Sequence, residues 1–345
     1  MGNRELLSIN DNEKIDFVIT WVDGTDEKWL SEKMRYQEKE IDMFHKDASI
    51  ARYRDWDNLK YWFRGIEKFA PWVNNIFFVT WGHIPYWLNI DNPKLKVIKH
   101  EDFIPSKYLP TFNINTIENN FHRIPGISEK FVYFNDDMFL IKPVKKCDFF
   151  IHDKPVDSAI LTAHCYSRRE TLILTPIVDI GVINEYFDFK KVINENIFKW
   201  FNFKYGKGLL QNIILFSCPR FPGIAQHHLP TPYLKKTFEC VWDKEEELLN
   251  QTCMNKFRSI TDVNQWLFRE WQIASNNFVP RSNIGKSFII NMNNKEKILK
   301  YIANSKGKMI CINDDKMTED EFEELKDSVK DTFEKKMSEK SSFER

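Results

Sequence analysis

Apolar positions along this chain fall into short unbroken runs and into helical stripes, and the two alternate. Residues 15–22 (IDFVITWV) form a run of strand length that stops at the turn pair Asp23-Gly24. Residues 55–69 set Trp56, Leu59, Trp62, Phe63, Ile66 and Phe69 at helical spacing, with Asp55 or Asp57 placed to cap the start and Pro71 to stop the end. Residues 75–81 (NIFFVTW) and 94–99 read as strands. Residues 114–123 read as a helix closed by Pro125-Gly126, and 131–134 (FVYF) as a strand that runs into Asn135-Asp136-Asp137.

After a further strand expected at 158–164 the pattern loosens. A helix is expected at 185–203, then a Pro-rich loop at 218–233 that holds His227-His228, then a helix at 261–273 capped by Ser259 or Thr261. The alternation returns with a helix at 294–303, a strand at 308–312 and a helix at 318–337. Thr318 and Glu321 form a capping box for the last, and Phe322, Leu325, Val329 and Phe333 its buried stripe. Strands alternating with helices predict an α/β fold with a largely parallel sheet flanked by helices and its ligand site at the carboxyl ends of the strands. One domain is expected over 1–338, with a core of 14–165 and 285–338, a more helical subregion at about 184–280, and a frayed tail at 339–345.

Composition narrows the classes. The 345 residues are 42% hydrophobic and 29% charged, and 29 Phe, 11 Tyr and 11 Trp supply a large core, which excludes a disordered chain. Fifty basic residues balance fifty acidic ones, so no global field exists to hold nucleic acid. No apolar run reaches the roughly 18 residues of a membrane span. The six cysteines are scattered without a CxxC pair, which points to a reduced cytoplasmic protein. Peripheral contact at the inner face of a membrane has one source in the Lys-rich last helix, whose Glu residues nearly cancel its Lys.

The chemistry-bearing residues cluster at strand ends. Adjacent carboxylates at Asp136 and Asp137 repel unless a cation or water satisfies them, and hard oxygen donors suit Mg²⁺ or Mn²⁺. A turn with solvated acids explains the same pair, and both readings apply again at Asn313-Asp314-Asp315. Asp23 and Gly24 mark either an ordinary turn or a close approach to a phosphate. His227 and His228 sit in a Pro-flanked loop that can hold an imidazole still for proton transfer, or are surface histidines. Arg52, Arg54, Arg64, His122, Arg123 and Arg258 are dispersed, and a phosphate pocket would recruit a few of them. No GxGxxG, P-loop, GxSxG, HExxH or EF-hand pattern is present.

These residues together resemble the Stealth family of sugar-phosphate transferases. IDFVITWVDGTDEKW at 15–29 is similar to its first block. RYRDWDNLKYWFRGIEKFAPWVNNIFFVTWGHIPYWL and LPTFNINTIENNFHRIPGISEKFVYFNDDMFL, within 52–140, are similar to its second. His228-Leu229-Pro230-Thr231-Pro232 with Lys256-Phe257-Arg258 resembles the third, and Cys311-Ile312-Asn313-Asp314-Asp315 the fourth. Gly82-His83 stands where the family commonly has Gly-Gln, and Asn113-Ile114-Asn115 where it has Asn-Ser.

The resemblance implies a GT-A/Rossmann-like nucleotide-sugar core, a divalent metal, and transfer of a sugar-1-phosphate from a UDP-sugar to a hydroxyl of an acceptor glycan. It places the metal, Mg²⁺ or Mn²⁺, on Asp136 and Asp137. Asp23, His228 and Arg258 become the catalytic residues, with His228 as general base and Arg258 on the phosphoryl oxygens. Gly24, Asp26, Asn113, His122, Arg123, Asn313 and Asp314 become the donor pocket. The alternatives are a metal-dependent glycosyltransferase that releases UDP, and a glycan-binding relative without catalysis.

Overall fold

The computed structural model describes residues 13–37, 55–165, 174–314 and 317–345; Arg52, Arg54 and Asp315 lie outside them. The first half carries β1 (Ile15–Thr20), α1 (Glu27–Gln37), α2 (Leu59–Phe69), β2 (Ile76–Thr80), β3 (Leu95–Lys99), α3 (Ile114–Asn119), β4 (Lys130–Phe134), β5 (Met138–Leu140), β6 (Phe150–Ile151) and β7 (Lys154–Asp157). The middle is helical: α4 (Leu174–Tyr186), α5 (Phe189–Glu195), α6 (Ile197–Trp200) and α7 (Lys207–Leu215), then β8 (Thr231–Leu234), α8 (Lys235–Lys244), α9 (Glu246–Met254) and α10 (Gln265–Ala274). The chain ends with β9 (Val279–Pro280), β10 (Gly285–Ile289), α11 (Lys295–Asn304), β11 (Met309–Asn313) and α12 (Glu319–Lys336).

The main sheet runs β3-β2-β1-β4-β8, parallel except for β8, which lies antiparallel to β4. Every residue of β1, β2 and β4 is buried, as both faces of a covered parallel sheet require. Alternate side chains serve two cores. Ile15, Phe17, Ile19, Phe78, Val132 and Phe134 pack with residues of α2 and α12 on one face, and Val18, Phe77, Val79, Phe131 and Tyr133 pack with the helical middle on the other. This is the expected α/β fold with a largely parallel, helix-flanked sheet, and it is compatible with a GT-A-like core. A second sheet, β10-β11-β5, begins where the chain leaves β4, so Asp136 and Asp137 lie at the junction of the two sheets.

Several elements differ from the sequence pattern. At 158–164 only Leu161 bridges, to Ile224, because Asn212 takes the backbone of Ala159 and Leu161 that a neighbouring strand would use. The 185–203 stretch breaks at Asp188 and Asn196 into the ends and starts of α4, α5 and α6. Asn264, whose side chain accepts from Trp266 N, starts α10 in place of Ser259 or Thr261. Neither Asp55 nor Asp57 caps α2; Asn58 precedes it without a side-chain cap bond. The 339–345 tail is docked and not frayed. Phe343 is 2% exposed, and Glu344 pairs with Arg64 at 2.8 Å. Arg64 also reaches Glu334 of α12 and the Met337 carbonyl.

Candidate functional site

The parallel order of β1, β2 and β4 brings their carboxyl ends to one edge of the sheet. The antiparallel β8 delivers its own amino end there, since Thr231 pairs with Tyr133 at the top of the ladder. Residues after β1, β2 and β4 and residues before β8 therefore meet.

After β1, Asp23 Oδ1 accepts from the Thr25 amide at 2.9 Å and from Thr25 Oγ1 at 2.6 Å, which fixes the turn through Gly24. Asp26 caps α1, accepting from the Trp29 amide at 2.8 Å, and this bond is the main cause that lowers its pKa. Its other oxygen lies 3.7 Å from His83 Nδ1. His83, on the turn after β2, stacks on Trp81, and burial depresses its pKa.

After β4, Asn135–Asp137 turn into β5, closed by the Met138 amide on the Asn135 carbonyl. Desolvation, then the charges of Asp137 and Asp55, push Asp136 up to about 7. Desolvation pushes Asp137 to about 6, opposed by the Cys311 thiol that donates to its Oδ2 at 3.4 Å. Among the described residues nothing bonds the buried Asp137 Oδ1. Asp55 is raised by burial, and the charges of Asp57 and Asp23 add to the rise.

Asp23, Asp55, Asp136 and Asp137 thus interact along one edge, and Asp137 keeps one carboxylate oxygen orphaned there. Among the described residues no three His, Cys, Asp or Glu side chains converge at ligand spacing. The arrangement fits Mg²⁺, which uses one or two carboxylates and completes its shell with water and phosphate oxygens. Asp136 and Asp137 are the carboxylates that would fit that role.

Before β8, His228 adopts a φ of +44° and sets its ring edge-on to Trp266, with centroids 5.6 Å apart. Desolvation and the charge of Arg258 lower its pKa, so its imidazole is neutral and can accept a proton at pH 7. The guanidinium of Arg258 also faces Glu118, a buried acid raised to about 7 by desolvation. Glu118 Oε1 lies 2.9 Å from the Tyr133 hydroxyl, which also meets Thr20 Oγ1 at 3.2 Å and bonds with Asn135 Oδ1. Tyr133 therefore links the acid turn to the His228–Arg258 flank. Asn313 closes the far side at the end of β11, where its Nδ2 donates to Ser287 Oγ at 2.9 Å, and Asp314 follows it. The neighbouring Ile312 amide donates to the Asp137 carbonyl.

Three expected donor-pocket residues have partners within the protein. His122 and Arg123 lie in the short helix between α3 and β4. His122 packs against Phe238 and Trp242, and Arg123 stacks over Trp242 at 4.6 Å. Asn113 is fully buried. Its amide donates to Asp262 Oδ2 at 2.8 Å and to the Phe257 carbonyl at 3.3 Å, so it positions the loop that carries Arg258 and touches no ligand space. Three further groups lie at this edge: Asp55, which helical spacing alone casts as a cap; Glu118, within the short α3; and His83, on the turn after β2.

Fold and site define a class: an α/β protein with carboxylates at the strand ends of a parallel sheet, and an imidazole and a guanidinium tied to them through Tyr133 and Glu118. Residues 13–40 match the family model described as Stealth protein CR1, conserved region 1, and residues 52–157 match Stealth protein CR2, conserved region 2. A capsular polysaccharide phosphotransferase WcwK of Streptococcus pneumoniae is 46% identical over 336 residues, covering 96% of this chain and 98% of the relative. A receptor polysaccharide phosphotransferase WefC of Streptococcus gordonii is 40% identical over 335 residues, covering 96% and 99%. An exopolysaccharide phosphotransferase cps2G of Lactiplantibacillus plantarum is 39% identical over 341 residues, covering 96% of each chain. The chain belongs to the Stealth family.

Proposed function

We propose that the protein is a phosphotransferase of capsular or exopolysaccharide synthesis, which moves a sugar-1-phosphate from a UDP-sugar to a hydroxyl of an acceptor glycan. The observation that carries this reading is the Asp136–Asp137 turn at the β4–β5 junction, linked through Tyr133 and Glu118 to Arg258 and His228, in a chain related over nearly its whole length to polysaccharide phosphotransferases. The acceptor oxygen forms a bond to the β-phosphorus, and the bond from that phosphorus to the bridging oxygen breaks. UMP leaves, and the acceptor proton passes to His228 Nε2 or Nδ1. Arg258 steadies the phosphoryl oxygens. Glu118 and Tyr133 orient the acid turn and Arg258. Asp23 and Gly24 border the donor. Asp136 and Asp137 would hold Mg²⁺, which neutralises diphosphate charge when bound. The sugar C1–O bond stays intact, so the anomeric configuration is kept. None of the six cysteines is in a disulfide, which supports work in a reducing cytoplasm.

The deciding experiment supplies the protein with UDP-sugars, Mg²⁺ and a capsule-type oligosaccharide, then resolves the nucleotides by chromatography. UMP released in step with acceptor is expected, with phosphate retained in the product. UDP in its place would make the protein a glycosyltransferase that cleaves C1–O. No nucleotide release with any donor would favour a glycan-binding relative.

A further inference from the structure

Helix α7 is inside out. Its inward residues are Gly208 and Asn212, both buried, while Leu210, Ile213 and Ile214 are 61%, 57% and 61% exposed. The orientation is enforced by bonds. Asn212 Oδ1 accepts from the Leu161 amide at 2.7 Å, and its Nδ2 donates to the Ala159 carbonyl at 2.7 Å and the Trp200 carbonyl at 2.6 Å. Gly208 lies so close to Ile160 that a Cβ there would come within 2.7 Å of its side chain. Rolling α7 to bury its aliphatic side would strand three satisfied buried polar contacts, so the outward apolar face is built in.

The segments just before α7 in the chain also expose apolar side chains. Phe203, in the turn before α7, is 91% exposed, and Phe198 and Ile197 of α6 are 83% and 43% exposed. These side chains lie within one continuous stretch of chain. Residues 196–220 contain Lys199, Lys204, Lys207 and Arg220 and not one acid, in a chain whose total charge is balanced. Lys204, Lys207 and Arg220 are exposed beside the apolar tips. Exposed aromatic and aliphatic side chains in a stretch that holds cations and no acid, with Lys204 also donating to the Pro280 carbonyl at 3.0 Å, match a surface that offers hydrocarbon below and negative charge above.

We infer that α6, α7 and the turn between them form a docking face for the surface of a lipid bilayer rich in anionic headgroups. The apolar tips of Phe198, Phe203, Leu210 and Ile214 enter the boundary between headgroups and acyl chains, and Lys204, Lys207 and Arg220 meet the headgroup phosphates. The face stands one layer from the site: Asn212 holds the 159–161 backbone, and Ser158 Oγ lies 2.8 Å from His227 Nε2. Docking here, and not through α12, would present the His228 side of the sheet edge at a fixed distance from the bilayer.

The test is co-sedimentation of the full chain with vesicles of phosphatidylglycerol and phosphatidylcholine, against phosphatidylcholine alone. Binding to the anionic vesicles at least roughly tenfold tighter is expected. It should drop by about tenfold or more in Phe203→Ser/Leu210→Ser/Ile214→Ser, and by a similar factor in Lys204→Glu/Lys207→Glu, with circular dichroism unchanged in both. Lys335→Gln/Lys336→Gln on α12 should bind like the parent chain. Equal sedimentation of parent and variants, no binding to either vesicle, or a concentration-dependent dimer abolished by the triple variant without vesicle binding would each overturn the inference.

Discussion

The thiol of Cys311 donates to Asp137 Oδ2 across 3.4 Å, so β11 touches one of the two carboxylates at the end of β4. The contact makes the acid turn a joint product of two sheets. Its backbone comes from β4 and β5, and its electrostatic support from a strand about 175 residues later in the chain.

Asp137→Ala removes the orphaned oxygen and one of the two proposed cation ligands. Phosphate transfer measured as acceptor-dependent UMP release should fall roughly 100-fold or more, and excess EDTA should do the same to the parent chain. Full turnover in EDTA would take the metal out of the mechanism.

His228→Ala should cut kcat with little change in the KM for the donor, whereas Arg258→Ala should alter both. Burial and Arg258 hold the His228 pKa below its ordinary value, so the base is already unprotonated at neutral pH. The acid limb of the kcat profile should therefore lie below the ordinary histidine range, and Arg258→Ala should move it upward. An acid limb unmoved in Arg258→Ala would separate the two residues.

Asn113 serves Arg258 at one remove, through the 255–262 loop. Asn113→Ala leaves Asp262 short of a donor in a buried network and should cost about 1–3 kcal/mol of stability. Its effect on turnover should be largely absent in an Arg258→Ala background, a coupling that a double-mutant cycle reads directly.

Asp179 and Glu270 are both fully buried, and each has one oxygen unpartnered among the described residues. Burial raises both well above the carboxylate range, with Glu270 adding to the rise of Asp179. The unfolded chain releases these protons near pH 4, while the folded chain keeps them to a much higher pH. Stability contributed by the protonated pair is therefore full below about pH 4 and is lost as pH rises, at up to ~1.4 kcal/mol per pH unit for each such group. Glu270→Gln keeps the hydrogen-bonding shape beside Gln226 without the charge. It should flatten the decline, read as urea midpoints between pH 5 and 9, and a parallel slope in parent and variant would exclude the pair as its source.

Deleting residues 339–345 should destabilise the chain by about 3–5 kcal/mol. It removes Phe343 from the core and leaves Arg64, 6% exposed, without Glu344. Glu344→Gln isolates the charge from the packing, and urea midpoints for both variants separate the two contributions.

The buried strands were legible in the sequence because they are covered on both faces and so read as unbroken apolar runs: β1, β2, β4 and β11 fall within a residue or two of expectation. Helix α2 was legible from its stripe, and α12 from its stripe and its Thr318–Glu321 box. Helix α1 was not, because it buries only Trp29 and Lys33 and carries no apolar stripe. The positions of Asp23, Asp136 and Asp137 at strand ends and of His228 in a Pro-flanked loop were legible because such places announce themselves locally. Glu118 was not: its environment is made by Tyr133 and Arg258, residues from distant elements that only the fold brings together. The contacts of His122 and Arg123 with Phe238 and Trp242 were not legible for the same reason, since a basic pair in sequence does not announce its partners.

The docking of the carboxyl-terminal tail on α2 and of β11 on β5 has a consequence for how the protein comes into being. A chain emerging from the ribosome presents β1, β2 and β4 early, yet the turn that carries Asp136 and Asp137 lacks its flanking strand until residues 309–313 are out, and the Arg64 clamp waits for Glu344. A half-made chain carries Asp136 and Asp137 without β11 beside them and Arg64 without Glu344.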